Sequence, residues 1–182
     1  MGGDRQKGRA GAMSAARFTD LVRPHLPRLY AYALRLCGDR DAASDVSQDG
    51  LVKAFQNLAA YDPERPVLPW LLTLVRHAFI DRVRGFDPLR TADDADDPAF
   101  PMAGGVDPSA AASSAERAVI VERALQAVPL DQRSCLVLYH VEGLTLEEIA
   151  EAEGIPVGTV KSRLHRGRAA LAEALGDRVK DL

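Results

Sequence analysis

The stretch 144–171 constrains the fold most, because its pattern predicts two short helices joined by a tight turn. Thr145 is a good N-cap residue, and Glu148 three residues later completes a capping box. Gly154 ends the first helix, because glycine adopts a left-handed conformation without a Cβ clash. Pro156 then opens the second helix, where a missing N–H costs nothing.

The second helix of this pair has an apolar face and a cationic face. At 100° per residue, three residues lie within about 40° of Val160 around the helix axis. They are Leu164, Gly167 and Leu171, and with Val160 they form the predicted buried stripe. The outer face and its flanks carry Thr159, Lys161, Ser162, His165, Arg166 and Arg168. Short polar side chains and arginines near a helix N-terminus suit contact with base edges and phosphates. A solvated basic face is the alternative, but the glycine turn favours a DNA-binding helix-turn-helix.

Charge is distributed unevenly along the 182 residues, whose formal net charge of −3 argues against a uniformly basic nucleic-acid binder. Residues 87–114 contain six acidic residues and one arginine, with four prolines and no helical or strand period. This composition predicts a flexible acidic linker. Residues 1–14 are predicted to be a disordered leader. The expected fold is therefore all-α, with small helical domains at 15–86 and 115–182.

Three helices are expected in the first domain. The first covers 15–37 and is bent or restarted at Pro24 and Pro27. The second covers 40–60, and the third covers 70–85 after a proline-rich loop. The apolar residues recur at three- and four-residue steps, which predicts that each helix buries one face.

Two polar faces of these helices allow more than one interpretation. On the second helix, Asp45, Gln48 and Asp49 lie outside an apolar face that includes Phe55. From spacing alone, a solvated stripe is favoured over a docking face for another protein. The third helix has a separate face composed of Thr73, Arg76, His77, Ile80 and Arg84. That face either holds a nucleic-acid strand or is an ordinary exposed surface.

The sequence gives no sign of catalysis, cofactor binding or a metal site. Cys37 and Cys135 are far apart and form no CxxC, which indicates a reducing cytoplasm without a disulfide framework or zinc site. The four histidines lie on different predicted elements, and no phosphate-binding glycine loop or catalytic triad is recognisable. No apolar run approaches 18 residues. We therefore expect a cytoplasmic protein that is not an enzyme.

Three signatures, in order along the chain, resemble those of bacterial RNA polymerase sigma factors of the extracytoplasmic-function class (ECF, group 4). The first is the run Asp-Val-Ser-Gln-Asp at 45–49, and the second is the helix starting Trp-Leu-Leu-Thr at 70–84. The third is Gly-Thr-Val-Lys-Ser-Arg at 158–163 with its continuation to residue 168, preceded by Pro-Leu-Asp-Gln-Arg at 129–133. The resemblance covers about 15–175.

The resemblance implies that 15–86 is sigma region 2. Asp45, Gln48 and Asp49 would dock on the β′ clamp helices of RNA polymerase core, which reverses the preference for a solvated stripe. The third helix and its preceding loop would engage the promoter −10 element and capture a flipped base during melting. The implied −10 contacts are Arg76, His77, Arg82 and Arg84. His77 stands where many members have Asn, and imidazole cannot copy the paired donor and acceptor of an amide.

The resemblance also implies that 115–182 is sigma region 4, which reads the −35 element in the major groove. The implied base contacts are Lys161, Ser162, His165 and Arg166. Thr159 is also an implied −35 contact. Arg163 and Arg168 would contact phosphates. The implied partners are RNA polymerase core through its β′ and β subunits, promoter DNA and an anti-sigma factor.

Two other functions fit a sigma-like sequence less well. A decoy would keep the fold to bind an anti-sigma factor and would lose the basic face and the docking residues. This chain has both features. A two-domain helix-turn-helix repressor would usually carry a ligand pocket or a dimerisation helix, and the sequence indicates neither.

Overall fold

The structure, a computed structural model, describes residues 15–86 and 114–176, and all regular structure in those residues is helical. This agrees with the all-α expectation. The predicted leader and nearly all of the predicted linker lie outside the described residues. Eight α-helices are described, and they fall into two groups of four along the chain.

The first group contains α1 (Ala15–Val22), α2 (Leu26–Cys37), α3 (Arg40–Gln56) and α4 (Val67–Phe86). A single 3-10 turn at Arg23–His25 separates α1 from α2, so the predicted restart at the prolines is confirmed. The Asp39 side chain caps α3 by accepting a hydrogen bond from the backbone N–H of Ala42 at 2.8 Å.

Two predicted boundaries in this group were wrong. The helix α3 ends at Gln56 rather than residue 60, and a 3-10 turn follows at Leu58–Ala60. The helix α4 begins at Val67 rather than residue 70. Pro69 therefore lies in the first turn of α4, where the missing N–H has no intrahelical partner to lose.

The second group contains α5 (Ser114–Gln126), α6 (Leu130–His140), α7 (Leu146–Glu153) and α8 (Val157–Leu175). The predicted capping box of α7 is confirmed by hydrogen bonds in both directions between Thr145 and Glu148. Gly154 has φ 67°, so it ends α7 in the predicted left-handed conformation. Pro156 is the N-cap of α8, and the helix itself begins one residue later.

Each group buries a set of apolar side chains. In the first group, Gly50 brings α3 against α4, because a Cβ atom there would lie 2.9 Å from Cα of Val75. In the second group, Val160, Leu164 and Gly167 of the predicted α8 stripe are buried, and its fourth member, Leu171, is partly buried against the core. The predicted inward position of Phe55 is wrong: this ring is 49% exposed and contacts Phe18 edge-on at 5.3 Å.

The two groups pack against each other and share one continuous apolar core. The helix α2 contacts α5 and α6, and α4 contacts α7. Polar pairs also cross this junction. Arg28 binds Glu142 at 2.8 Å, and Arg35 binds Glu122 at 2.9 Å. The contact between α4 and α7 places the helix predicted to engage the −10 element beside the first helix of the helix-turn-helix.

Candidate nucleic-acid interface

The N-terminal half of α8 presents a cationic surface to solvent. Lys161, Ser162, His165 and Arg166 are all exposed, while Val160 and Leu164 of the same turns are buried, and α8 packs against α6 and α7. The left-handed turn at Gly154 separates this helix from α7. The four exposed side chains occupy one face, so together they can enter a DNA major groove.

Two more predicted −35 residues, Thr159 and Arg168, lie around this surface. Thr159 is partly buried, and its carbonyl oxygen accepts a hydrogen bond from the Ser162 hydroxyl at 2.9 Å. Arg168 lies on the flank, 3.3 Å from Nε2 of His140 and 5.7 Å from the centre of the Tyr139 ring. Burial, with Arg168 adding to it, lowers the pKa of His140. The imidazole therefore stays neutral and can accept the guanidinium hydrogen bond.

A second cationic surface is a groove of about 500 Å³ between α3 and α4. Its polar lining includes Lys53, Asn57, His77 and Arg84. Lys53 is bound to Asp81 at 2.7 Å, which fixes its ammonium group at the groove edge. Burial, with Arg76 adding to it, lowers the pKa of His77. At neutral pH the groove therefore offers a neutral imidazole beside Arg84, with Lys53 and Arg76 held on carboxylates at its sides.

The structure brings three of the four predicted −10 residues to this groove and leaves one away from it. Arg76, His77 and Arg84 line the groove. Arg82 points to a different side of α4 and binds Asp45 at 2.9 Å. The resemblance implies separate sites for these last two residues, a −10 contact for Arg82 and a core polymerase contact for Asp45.

The loop before α4 forms a smaller cavity of about 280 Å³ against α7. Tyr61 and Trp70 line it with their rings 5.0 Å apart, an aromatic pair of the kind on which a base can stack. Arg65 binds Glu151 of α7 through both guanidinium nitrogens. This exposed pair links the loop to α7.

The predicted docking residues lie on the outer face of α3. Gln48 and Asp49 are exposed, and Asp45 is exposed despite its ion pair with Arg82. Val52 and Phe55 add exposed apolar area to the same helix. A face that mixes carboxylates, an amide and exposed apolar side chains has the composition of a protein interface.

Two predicted DNA contacts, Arg76 and Arg163, are instead occupied by carboxylates. Arg76 is 8% exposed and binds Glu153 at 2.7 Å and Asp131 at 3.1 Å. Arg163 binds Asp131 at 2.8 Å and Glu153 at 3.4 Å. The side chain of Glu153 is fully buried. We call these four residues the interdomain cluster. It joins α4, α6, α7 and α8 through Arg76, Asp131, Glu153 and Arg163, respectively.

A hydrogen-bond chain extends the interdomain cluster to α2. Ser134 donates to Glu153 at 2.6 Å, and the hydroxyl of Tyr32 lies 2.8 Å from the same Ser134 oxygen. Burial raises the pKa of Glu153, whereas Arg76, Ser134 and Arg163 act in the opposite direction. Burial also raises the pKa of Tyr32, so its hydroxyl keeps its proton.

The carboxylates of the interdomain cluster are not among the residues predicted from sequence, although one signal points to Glu153. That residue lies four positions after Ile149, on the stripe that buries Ile149 and Ala152. A carboxylate on a buried stripe requires a partner, because an unpaired buried charge is very costly. The pattern alone does not identify that partner, since Arg76 is distant in sequence.

Within 15–86 and 114–176, no group of three or more histidine, cysteine, aspartate or glutamate residues is arranged to hold a metal ion. In the same part of the chain, none of the helices has both the length and the apolar character needed to cross a membrane.

Comparison with known proteins identifies both halves of the chain. The Sigma-70 region 2 profile matches residues 21–86, and the Sigma-70 region 4 profile matches residues 118–171. The ECF RNA polymerase sigma factor SigW of Bacillus subtilis (strain 168) is 33% identical over 167 residues, which cover 88% of this chain and 89% of SigW. The ECF sigma factor SigL of Mycobacterium tuberculosis is 34% identical over 163 residues, covering 89% and 90%.

Solved structures agree with this result. The sigma factor RpoE from Bartonella quintana, in complex with the anti-sigma factor NepR, has a TM-score of 0.70 at 29% identity, covering 87% of this chain and 96% of RpoE. CnrH in complex with the cytosolic domain of CnrY has a TM-score of 0.63 at 25% identity, covering 89% of each chain. Regions 2 and 4 on one helical chain define a sigma factor. The chain belongs to the ECF RNA polymerase sigma factors.

Proposed function

We propose that this sigma factor directs RNA polymerase core to promoters by reading a −35 element with α8 and a −10 element with α4 and its preceding loop. The exposed cationic half of α8, which follows the turn at Gly154, is the observation that carries the proposal. In this proposal 15–86 and 115–182 act as separate DNA-binding domains, joined by the segment 87–114.

The −35 assignment divides α8 into two functions. Lys161, Ser162, His165 and Arg166 share the exposed face that suits base contacts. Arg168 on the flank, together with Arg163 once it is released from its carboxylates, suits phosphate contacts, which fix the register of the helix without reading sequence. Thr159 supports the first turn through Ser162.

The −10 assignment uses the groove and the aromatic pair together. His77 and Arg84 line the groove, and Tyr61 with Trp70 offers a stacking surface on the neighbouring loop. Extruding a base costs a few kcal/mol, so surfaces that bind the unpaired strand help to drive melting. We assign Arg82 a supporting role through its ion pair with Asp45.

The remaining contacts are with proteins. The outer face of α3, with Gln48, Asp49 and Asp45, suits docking on the β′ clamp helices, and region 4 suits contact with the β subunit. The structural relatives RpoE and CnrH were solved with NepR and with the cytosolic domain of CnrY. We extend that partnership to an anti-sigma factor for this chain. The chain would act in the cytoplasm without catalytic activity of its own.

Transcription by core polymerase from a randomised promoter library tests this function. With the protein added, transcripts should be enriched for two separated sequence elements, and core alone should enrich neither. A protein that binds core and enriches nothing would be a decoy, and a protein that does not bind core would contradict the proposal entirely.

A further inference from the structure

The interdomain cluster occupies two arginines to which the proposed function assigns DNA contacts. Arg76 is buried on Glu153 and Asp131, and Arg163 is held by the same two carboxylates. A guanidinium group binds carboxylate and phosphate oxygens with the same donor geometry. The carboxylates therefore stand where phosphate oxygens would have to bind.

The position of Glu153 is costly, which makes the cluster more than an incidental contact. The residue is the last of α7, where the helix dipole disfavours a negative charge. Its side chain is also fully buried, which adds a desolvation cost. Arg76, Arg163 and Ser134 offset both costs, and Arg76 comes from the other helix group.

One further contact crosses the same junction at an exposed position. The pair Arg65–Glu151 joins the loop before α4 to α7, and both side chains are more than half exposed. His77 and Arg84 of the groove are exposed, and so is the base-reading face of α8. The arrangement thus occupies two arginines of the proposed DNA-binding surface and leaves the rest of that surface accessible.

We infer that the described arrangement is an autoinhibited closed state of the free chain, in which Glu153 and Asp131 occupy the DNA-binding arginines Arg76 and Arg163. This inference rests on the proposed function. Binding of single-stranded −10 DNA requires the cluster to open, so the closed state reduces the apparent affinity by the fraction of molecules that are open.

Glu153→Gln tests the inference, because it keeps the shape of the side chain and removes the charge that holds both arginines. Glu151→Gln is the matched control. It lies on the same helix and changes the charge equally, and its side chain is 57% exposed. Tyr32→Phe is a second opening variant, since it removes the hydroxyl contact with Ser134 from the α2 side without a charge change.

Opening is measured on the full chain by alkylation of Cys135 in a Cys37→Ala background. Cys135 is fully buried, and burial, with Glu153 adding to it and Arg163 and Arg76 acting in the opposite direction, raises its pKa to about 12. Glu153→Gln and Tyr32→Phe should speed alkylation by about tenfold or more if the closed state dominates. Glu151→Gln should react like wild type.

DNA binding is measured by fluorescence anisotropy with a labelled single strand that carries the −10 element selected from the promoter library. Glu153→Gln should bind about tenfold more tightly than Glu151→Gln, with a smaller gain on −35 duplex. Equal alkylation rates and affinities for the two variants, with wild type still selecting promoters, would overturn the inference alone. If wild type selects no element, the proposed function fails and the inference fails with it.

Discussion

Nη2 of Arg76 on α4 lies 2.7 Å from Oε2 of Glu153 on α7, and the pair joins the two halves of the chain. A residue of the −10 helix is thereby bound to the helix-turn-helix unit. The link is buried, so water screens it little. The stability of each half is therefore coupled to that of the other.

A double-mutant cycle measures this coupling. Arg76→Ala, Glu153→Ala and the double variant should give an interaction energy of about 1–3 kcal/mol in urea unfolding, as for contacts within one buried network. The same cycle on the exposed pair Arg65–Glu151 should give no resolvable interaction. Equal coupling for the two pairs would show that the buried pair does not hold the halves together.

Substitution of Gly50 should destabilise the contact between α3 and α4. A Cβ atom there would lie 2.7 Å from Cγ2 and 2.9 Å from Cα of Val75, and the backbone atom cannot rotate away. Gly50→Ala should cost about 1–3 kcal/mol of unfolding free energy. Gly85→Ala, where nothing lies within 4 Å, should instead add about 0.5–1 kcal/mol. Urea unfolding of both variants checks the sign of each effect.

Protonation of His77 should oppose folding as the pH falls. Burial lowers the pKa of His77 in the folded chain. As the pH falls, His77 of the unfolded chain therefore takes up its proton near the ordinary pKa of about 6.5, before His77 of the folded chain does. Stability should therefore decrease as the pH falls from neutral through that value and toward the lowered pKa. In His77→Asn the decrease should be shallower, with the part due to His140 remaining. An unchanged pH profile would contradict the assignment.

The outer face of α3 should carry affinity for core polymerase. Gln48→Ala/Asp49→Ala should weaken binding to core by about tenfold or more, because central interface residues dominate affinity. Asp45 is left intact in this variant, since removing it would also release Arg82. Asp41→Ala, an exposed change on the same helix, should bind core like wild type. Equal binding by both variants would move the docking surface elsewhere.

Local signals explain what the sequence predicted well. The capping box at Thr145 and Glu148 and the left-handed Gly154 depend on residues a few positions apart, so the helix-turn-helix and the exposed face of α8 could be predicted. Packing between distant segments could not. Phe55 follows the apolar spacing of α3 but lies near its end, where it stays half-exposed against Phe18.

The burial of Arg76 and Arg163 has the same origin. Each arginine lies on a helix with a predicted cationic face. The carboxylate partners of Arg76 come from the other half of the chain, and those of Arg163 come from other helices of its own half, so neither helix pattern reveals them. The resemblance to sigma factors assigns both residues to DNA contacts, whereas in the structure both guanidinium groups bind carboxylates. The relation between those two roles depends on tertiary packing, which periodicity does not encode.

The most direct test of two independent DNA-reading surfaces is the randomised promoter library transcribed with wild type, Arg166→Ala and His77→Asn. Arg166→Ala should lose about 1–3 kcal/mol of discrimination within the −35 element and leave the −10 element unchanged. His77→Asn should change the preferred base in the −10 element only. Loss of both elements in either variant, or a uniform loss across all sequences with Arg166→Ala, would contradict the assignment of α8 and α4 to separate promoter elements.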